Sequence, residues 1–202
     1  YDGIGLQVTS DNGIFINNVN ASGNSLFGAN LSAGGDVAIA NSTFSNTTTG
    51  DAAAPLGMGL QISGQNVFID TVTLDGNQLD GASIAATGDV FLDLITATNN
   101  GANGVEVDAA CTFLNGGTFT GNGEYGLSLV NPVLTQTVPP VFSGNGLGDI
   151  NPAVTSPCPA PVFPVVGGGT TGGVSTLTGS ISNRSMSLST LSSSNKSLGL
   201  IN

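Results

Sequence analysis

Apolar residues recur along residues 1–146 in three columns, most of them returning after 22 or 23 residues. The first column is an apolar pair flanking one polar residue: Leu6/Val8, Ala29/Leu31, Leu60/Ile62, Ala82/Ile84, Val105/Val107 and Leu127/Leu129. The second runs Ile14/Ile16, Val37/Ile39, Val67/Ile69, Val90/Leu92 and Thr112/Leu114. The third ends at Ala21, Phe44, Leu74, Ala97, Phe119 and Phe142, and its one long interval holds an insertion near TTTGDAAAP at 47–55. Each pair alternates in and out with a period of two, which belongs to a strand and not to a helix. Three short strands per repeat, parted by Gly, Asn or Asp, predict a flattened coil whose copies stack about 4.8 Å apart. The expected fold is all-β: a single-stranded parallel β-helix, right-handed by the strong default for parallel crossovers. Six coils would stand about 29 Å tall. Pro132, Pro139 and Pro140 remove backbone donors in the sixth, so the solenoid is expected to end by residue 146.

A polar column supports the register. Three residues beyond the third apolar column stand Asn24, Thr47, Asn77, Asn100, Asn122 and Asn145. Asn tolerates a left-handed backbone and bonds its neighbours at a corner. Stacked on one corner, Asn24, Asn77, Asn100, Asn122 and Asn145 predict a structural asparagine ladder.

The stretches GDVAIANSTFSN, GQNVFIDTVTLDGN and GDVFLDLITATNNGANGVEV carry a family resemblance. Over residues 1–146 the chain resembles the right-handed parallel β-helix superfamily, the pectin-lyase-like fold. That resemblance specifies a fold more than a function, because the solenoid serves polysaccharide lyases, glycosidases, phage spikes and adhesins alike. What it implies here is a non-enzymatic member of the extracellular or adhesin type.

Charge narrows the chemistry. All thirteen acidic residues lie between Asp2 and Asp149, a stretch with no Lys or Arg; the two cations, Arg184 and Lys196, are near the C-terminus, and the chain has no His. Nucleic acid is a poor partner for such a body, since binding needs cations that displace counterions. A lyase acting on acidic polysaccharide, with an Arg or Lys base, does not fit. Nucleophile triads lack their base. GGGTTGG at 167–173 lacks the Lys and helix of a phosphate loop. Glycosidases need two carboxyl groups, and Asp70 and Asp93, each one residue past the second column, are expected to face outward on adjacent coils. They are the weak calcium candidate as well, oxygen ligands favouring Ca²⁺ over zinc. Glu106 and Asp108 form a lesser surface pair. An aromatic platform and basic residues are not expected beside Asp70 and Asp93, so the expectation is no catalysis and no required cofactor. No apolar run approaches the roughly 20 residues of a membrane span.

Composition shifts after the repeats. Residues 147–172 are rich in Pro and Gly and read as a stiff connector. Cys111 takes the turn slot held by Asp36 and Asp89 in other coils, and a Cys111–Cys158 disulfide would pin the connector along the rod, the alternative being two unpaired thiols. Residues 173–202 are Ser-rich with short apolar alternations, either an unstructured tail or strands that need another sheet. The chain begins YDGIGLQV, almost inside its first strand and with no capping helix; the expected start is a processed end. Solenoids cap their terminal coils against stacking. These features predict an extracellular or cell-surface structural protein that polymerises with copies of itself, head to tail. Leu6, Val8, Ile14 and Ile16 would make contact at one end and Leu127, Leu129 and Phe142 at the other. Ile181, Met186, Leu188, Leu198 and Leu200 of the tail would insert into a neighbour. The alternative is an adhesin or carbohydrate-binding rod that engages surface glycans.

Overall fold

The computed structural model describes residues 3–49, 57–159, 163–165 and 175–177. The chain divides into two compact units, Tyr1–Ala160 and Pro161–Asn202. Among its described residues the first holds sixteen strands: β1 (Ile4–Ser10), β2 (Ile14–Asn17), β3 (Phe27–Ala33), β4 (Val37–Thr43), β5 (Met58–Gly64), β6 (Val67–Asp75), β7 (Ala82–Ala86) and β8 (Asp89–Asp93), then β9 (Thr96–Thr98), β10 (Val105–Asp108), β11 (Cys111–Asn115), β12 (Thr118–Thr120), β13 (Tyr125–Leu129), β14 (Leu134–Val138), β15 (Val141–Ser143) and β16 (Gly148–Asn151). The second contributes β17 (Phe163–Val165) and β18 (Ser175–Leu177), which pair antiparallel. Ile181, Met186, Leu188, Leu198, Leu200, Arg184 and Lys196 lie outside the described residues.

The first unit is a parallel β-helix of about six turns. One sheet stacks β1-β3-β5-β7-β10-β13-β16. The other joins the remaining two legs of each coil: β2, β4, β6, β8, β11 and β14 form one stack, and the second half of β6 with β9, β12 and β15 forms the next. The sequence columns set the register. Leu6 pairs with Ala29, Ala29 with Leu60, Leu60 with Ala82, Ala82 with Val105 and Val105 with Leu127. All three columns enter one apolar core, in which Phe44, Leu60, Leu74, Ala97 and Phe119 have no exposed surface. Each coil buries its apolar edge only against its neighbours, which is why the pattern must repeat.

Two corners run up the rod. Asn46, Gly76, Asn99, Gly121 and Gly144 all hold positive φ, one residue before the inward polar column. Between the second and third legs the same left-handed state falls on Asn18, Asn41, Thr71 and Leu94. Leu94 does so at φ 50° with 56% of its surface exposed, an uncommon conformation for a bulky residue.

The asparagine ladder is continuous over four coils. Asn77 Nδ2 donates to Asn100 Oδ1, Asn100 Nδ2 to Asn122 Oδ1 and Asn122 Nδ2 to Asn145 Oδ1, each at 2.9 Å. Every amide also donates back to a carbonyl of the coil below, those of Phe44, Leu74, Ala97 and Phe119. Asn24 stands apart: its Nδ2 bonds Ala21 O of its own coil, because Thr47 interrupts the row. Thr47 has no exposed surface, and its hydroxyl lacks any partner. A glycine column makes room for the amides. A Cβ on Gly81 would sit 2.9 Å from Asn100 Nδ2, and one on Gly104 2.9 Å from Asn122 Nδ2. Gly59 and Gly126 stand likewise under Asn77 and Asn145.

The solenoid does not stop at residue 146. β16 lies on β13, with Ile150 opposite Leu127, and the chain then bridges Val133 to Ser156. Pro139 and Pro140 fall between β14 and β15, where no ladder donor is required. The boundary expected at 146 therefore moves outward, the compact unit reaching Ala160.

Candidate functional site

The first coil is the open part of the core. Leu6, Val8 and Ile16 are half-buried, whereas their counterparts one coil on, Ala29, Leu31 and Ile39, are 0%, 1% and 0% exposed. Ile14 is already closed at 6%. Phe15, pointing out from the same coil, is 54% exposed. The far end corrects the sequence expectation: Leu127 and Leu129 are 0% and 2% exposed because β16 continues the sheet over β13. Phe142 is half-buried and stacks on Phe119, ring centroids 5.1 Å apart. The apolar side chains that do face solvent there are Val130, Val138, Val141, Leu147 and Val154.

The Pro-rich segment is fastened to this end. Cys111 and Cys158 form a disulfide with Cα atoms 5.7 Å apart. Cys158 N donates to Thr135 Oγ1 at 2.8 Å, and Leu134 N to Ser156 O at 3.1 Å. The segment thus runs beside β14 as part of a seventh turn.

On the outer face of the second sheet, alternation places two axial stripes side by side. Asp70 and Asp93 are directly in register between β6 and β8. Thr71 Oγ1 donates to Asp70 at 2.7 Å, Asn115 Nδ2 donates to Asp93 at 2.8 Å, and Thr137 Oγ1 continues the row to Asn115 at 2.7 Å. Burial, chiefly, and the Asp70 charge push the Asp93 carboxyl above its usual range, against the Asn115 bond. Two residues before this stripe stand Phe68, Phe91 and Phe113, in register on β6, β8 and β11. Their rings stack with centroids 4.9 and 4.7 Å apart and planes within 6° and 5° of parallel. Sequence reasoning found no aromatic platform here and overlooked this one. The signal was present: each Phe occupies the outward slot between the two apolar residues of the second column.

Chemically the face offers little. The four inner faces of the three rings are spent on one another, and Phe113 is itself buried. The two aspartates already accept structural hydrogen bonds, and two carboxylates are far short of the six to eight oxygens that calcium takes. Among the described residues no three His, Cys, Asp or Glu side chains gather to hold a metal. No helix among them is long and apolar enough to cross a membrane. Glu106 and Asp108 lie on one face of β10, on the other sheet.

No curated protein and no solved structure matches the chain. The family model described as the right-handed beta helix region matches residues 1–132, from the first strand into the turn before β14, and the chain belongs to that family.

Proposed function

We propose that this protein is a non-catalytic structural solenoid of the extracellular space or cell surface, whose copies associate head to tail. One observation carries the proposal: the apolar columns that are sealed from the second coil onward are half-open at Leu6, Val8 and Ile16. Another coil placed there would bury side chains and pair the outer edge of β1, which among the described residues bonds β3 alone. The exposed valines of the last coil supply the complementary apolar end. Contact between unlike ends does not close on itself, and so propagates. The C-terminal segment of one copy is proposed to add strands to another; its Arg184 and Lys196 suit the acidic wall of the solenoid. A disulfide is at home in an oxidising compartment, which supports the location.

The test is sedimentation and negative-stain microscopy of the full chain over a concentration series. Uniform fibres are expected. Val8→Glu, which places a charge in the open column, is expected to abolish them, and so is deletion of residues 170–202. Single particles at every concentration would refute the proposal; ordinary fibres from the truncated chain would remove its strand-donation part.

A rod that binds surface glycans is a second reading, favoured by the Phe68, Phe91 and Phe113 stripe beside Asp70 and Asp93. It is the weaker, because a sugar ring stacks on an aromatic face, both faces of Phe91 are taken by its neighbours and Phe113 is buried. Binding of dispersed chains to a glycan array would reverse that order.

A further inference from the structure

Asparagine is followed directly by glycine at Asn12, Asn100, Asn103, Asn115, Asn122 and Asn145. Glycine has no Cβ to shield its nitrogen, so the preceding side chain can close a ring onto it. Five of these pairs are locked against that closure. The side chains of Asn100, Asn103, Asn115, Asn122 and Asn145 each donate through Nδ2 and accept at Oδ1. The nitrogens of the glycines that follow them all donate to carbonyls of a neighbouring coil, at 2.8 or 2.9 Å.

Asn12–Gly13, in the turn between β1 and β2, differs on every count. Both residues are exposed. Neither the Asn12 side chain nor the Gly13 nitrogen has a hydrogen-bond partner among the described residues. One coil on, Gly34 N and Gly35 N reach back to Ser10 O at 2.9 Å and to Asn12 O at 3.1 Å. Donors of this corner thus face the earlier coil, and no described coil lies on that side of Gly13. The turn itself is held: Asn12 N donates to Ser10 Oγ at 3.2 Å and Ile14 N to Asp36 O at 2.9 Å. A Cβ on Gly13 would lie 2.9 Å from Asp36 O, so packing calls for glycine there.

We propose that Asn12 is a self-modification site, where the folded chain converts a side-chain amide to a carboxylate. The Gly13 nitrogen attacks Asn12 Cγ and gives up its proton. The new N–Cγ bond forms as the Cγ–Nδ2 bond breaks, and ammonia leaves. Water then opens the succinimide ring at either carbonyl, giving aspartate or isoaspartate. One water is consumed and one ammonia released, with no change of oxidation state. Either product sets a second carboxylate beside Asp11, on the coil whose apolar columns stand half-open. Isoaspartate also routes the main chain through the side-chain carbon, which lengthens the turn that Gly35 N and Ile14 N anchor.

The test is incubation of the dilute full chain in mildly alkaline buffer, followed by peptide mapping with fragmentation that tells isoaspartate from aspartate. Pepsin is the protease, because no Lys or Arg precedes Arg184. Dilution keeps a second copy off the first coil, so the outcome is independent of end-to-end association. Asn12 is expected to convert at least about tenfold faster than any of the other five, which react only after local opening. In guanidinium with the disulfide reduced, all six should convert at comparable rates. Asn12→Gln, which would need a six-membered ring, should remove the early product; its side chain is exposed and leaves the fold intact. Conversion at Asn12 no faster than at the locked pairs, or a first product at one of those, would overturn the proposal. So would an Asn12 amide that survives in the folded chain while the unfolded chain converts. A preference that persisted undiminished in guanidinium would overturn it too, since it would then belong to local sequence and not to the open turn.

Discussion

The break in the asparagine ladder invites a repair. Thr47→Asn places an amide where Asn77, Asn100 and Asn122, one, two and three coils up, already show the outcome. Patterned on Asn77 and Asn100, the introduced Nδ2 would donate to Ala21 O below and to Asn77 Oδ1 above. The introduced Oδ1 would accept from Asn24 N and Nδ2, freeing Asn24 from its bond to its own coil. The change also removes a hydroxyl that is fully buried and without a partner. A buried orphan costs about 1–3 kcal/mol, and a made hydrogen bond is worth about 0.5–1.5 net. Part of that is returned as strain, since Asn differs in shape from Thr in a closed site. A net gain of about 1–2 kcal/mol remains, or roughly 2–8 °C in a chain of this size. Differential scanning calorimetry of wild type and variant measures it. An unchanged or lowered midpoint would refute the view that Thr47 is a gap in a continuous row and would make it a residue fitted to its own corner.

Three further outcomes are expected. Gly81→Ala should destabilise by about 1–3 kcal/mol through overpacking, because its Cβ would lie 2.9 Å from both Asn100 Nδ2 and Leu74 Cβ; urea unfolding reads the shift in midpoint. Cys158→Ser should cost about 4 kcal/mol in the chain-entropy view for a separation of 47 residues, with hydrogen exchange rising first in β14 and β16 and hardly in β3 to β8. Asp93→Asn keeps an acceptor for Asn115 and removes the charge facing Asp70. Because the Asp93 carboxyl is raised, its ionised form weakens the fold above that raised value. The variant should therefore be more stable than wild type at neutral pH and equal to it at about pH 4, the ordinary carboxylate range; urea titrations at the two pH values check it.

The core was legible because inward apolar positions and period-two alternation say the same thing in every coil. Leu60, Ala82 and Val105 fall opposite one another as their spacing predicts. Other columns repeat just as regularly and were passed over. Gly59, Gly81, Gly104 and Gly126 stand one residue before the first apolar column in their coils, yet glycine reads as turn punctuation until the amide beside it is seen. Ile150 follows Leu127 at the repeat distance, but the surrounding prolines suggested a linker. Thr71 and Leu94 give no sequence sign of positive φ, since neither favours that state; the corner is imposed on them by the legs on either side. The outward stripe of phenyl rings is written in the same alternation, but a Phe between two inward residues gives no sign of stacking until the coils are set in register.

The amide row has a direction. Asn77, Asn100 and Asn122 each hand one amide proton to the side-chain oxygen of the later coil, and none of these side chains donates to the amide oxygen of the earlier one. The rod is thus a vector: an acceptor-rich face looks one way and a donor-rich face the other. A copy added end to end can continue that row in one orientation only, so a chain of such rods has a leading and a trailing tip that are chemically distinct. Growth at the two tips would then proceed at different speeds, and a seed marked with one colour and extended with another would lengthen lopsidedly.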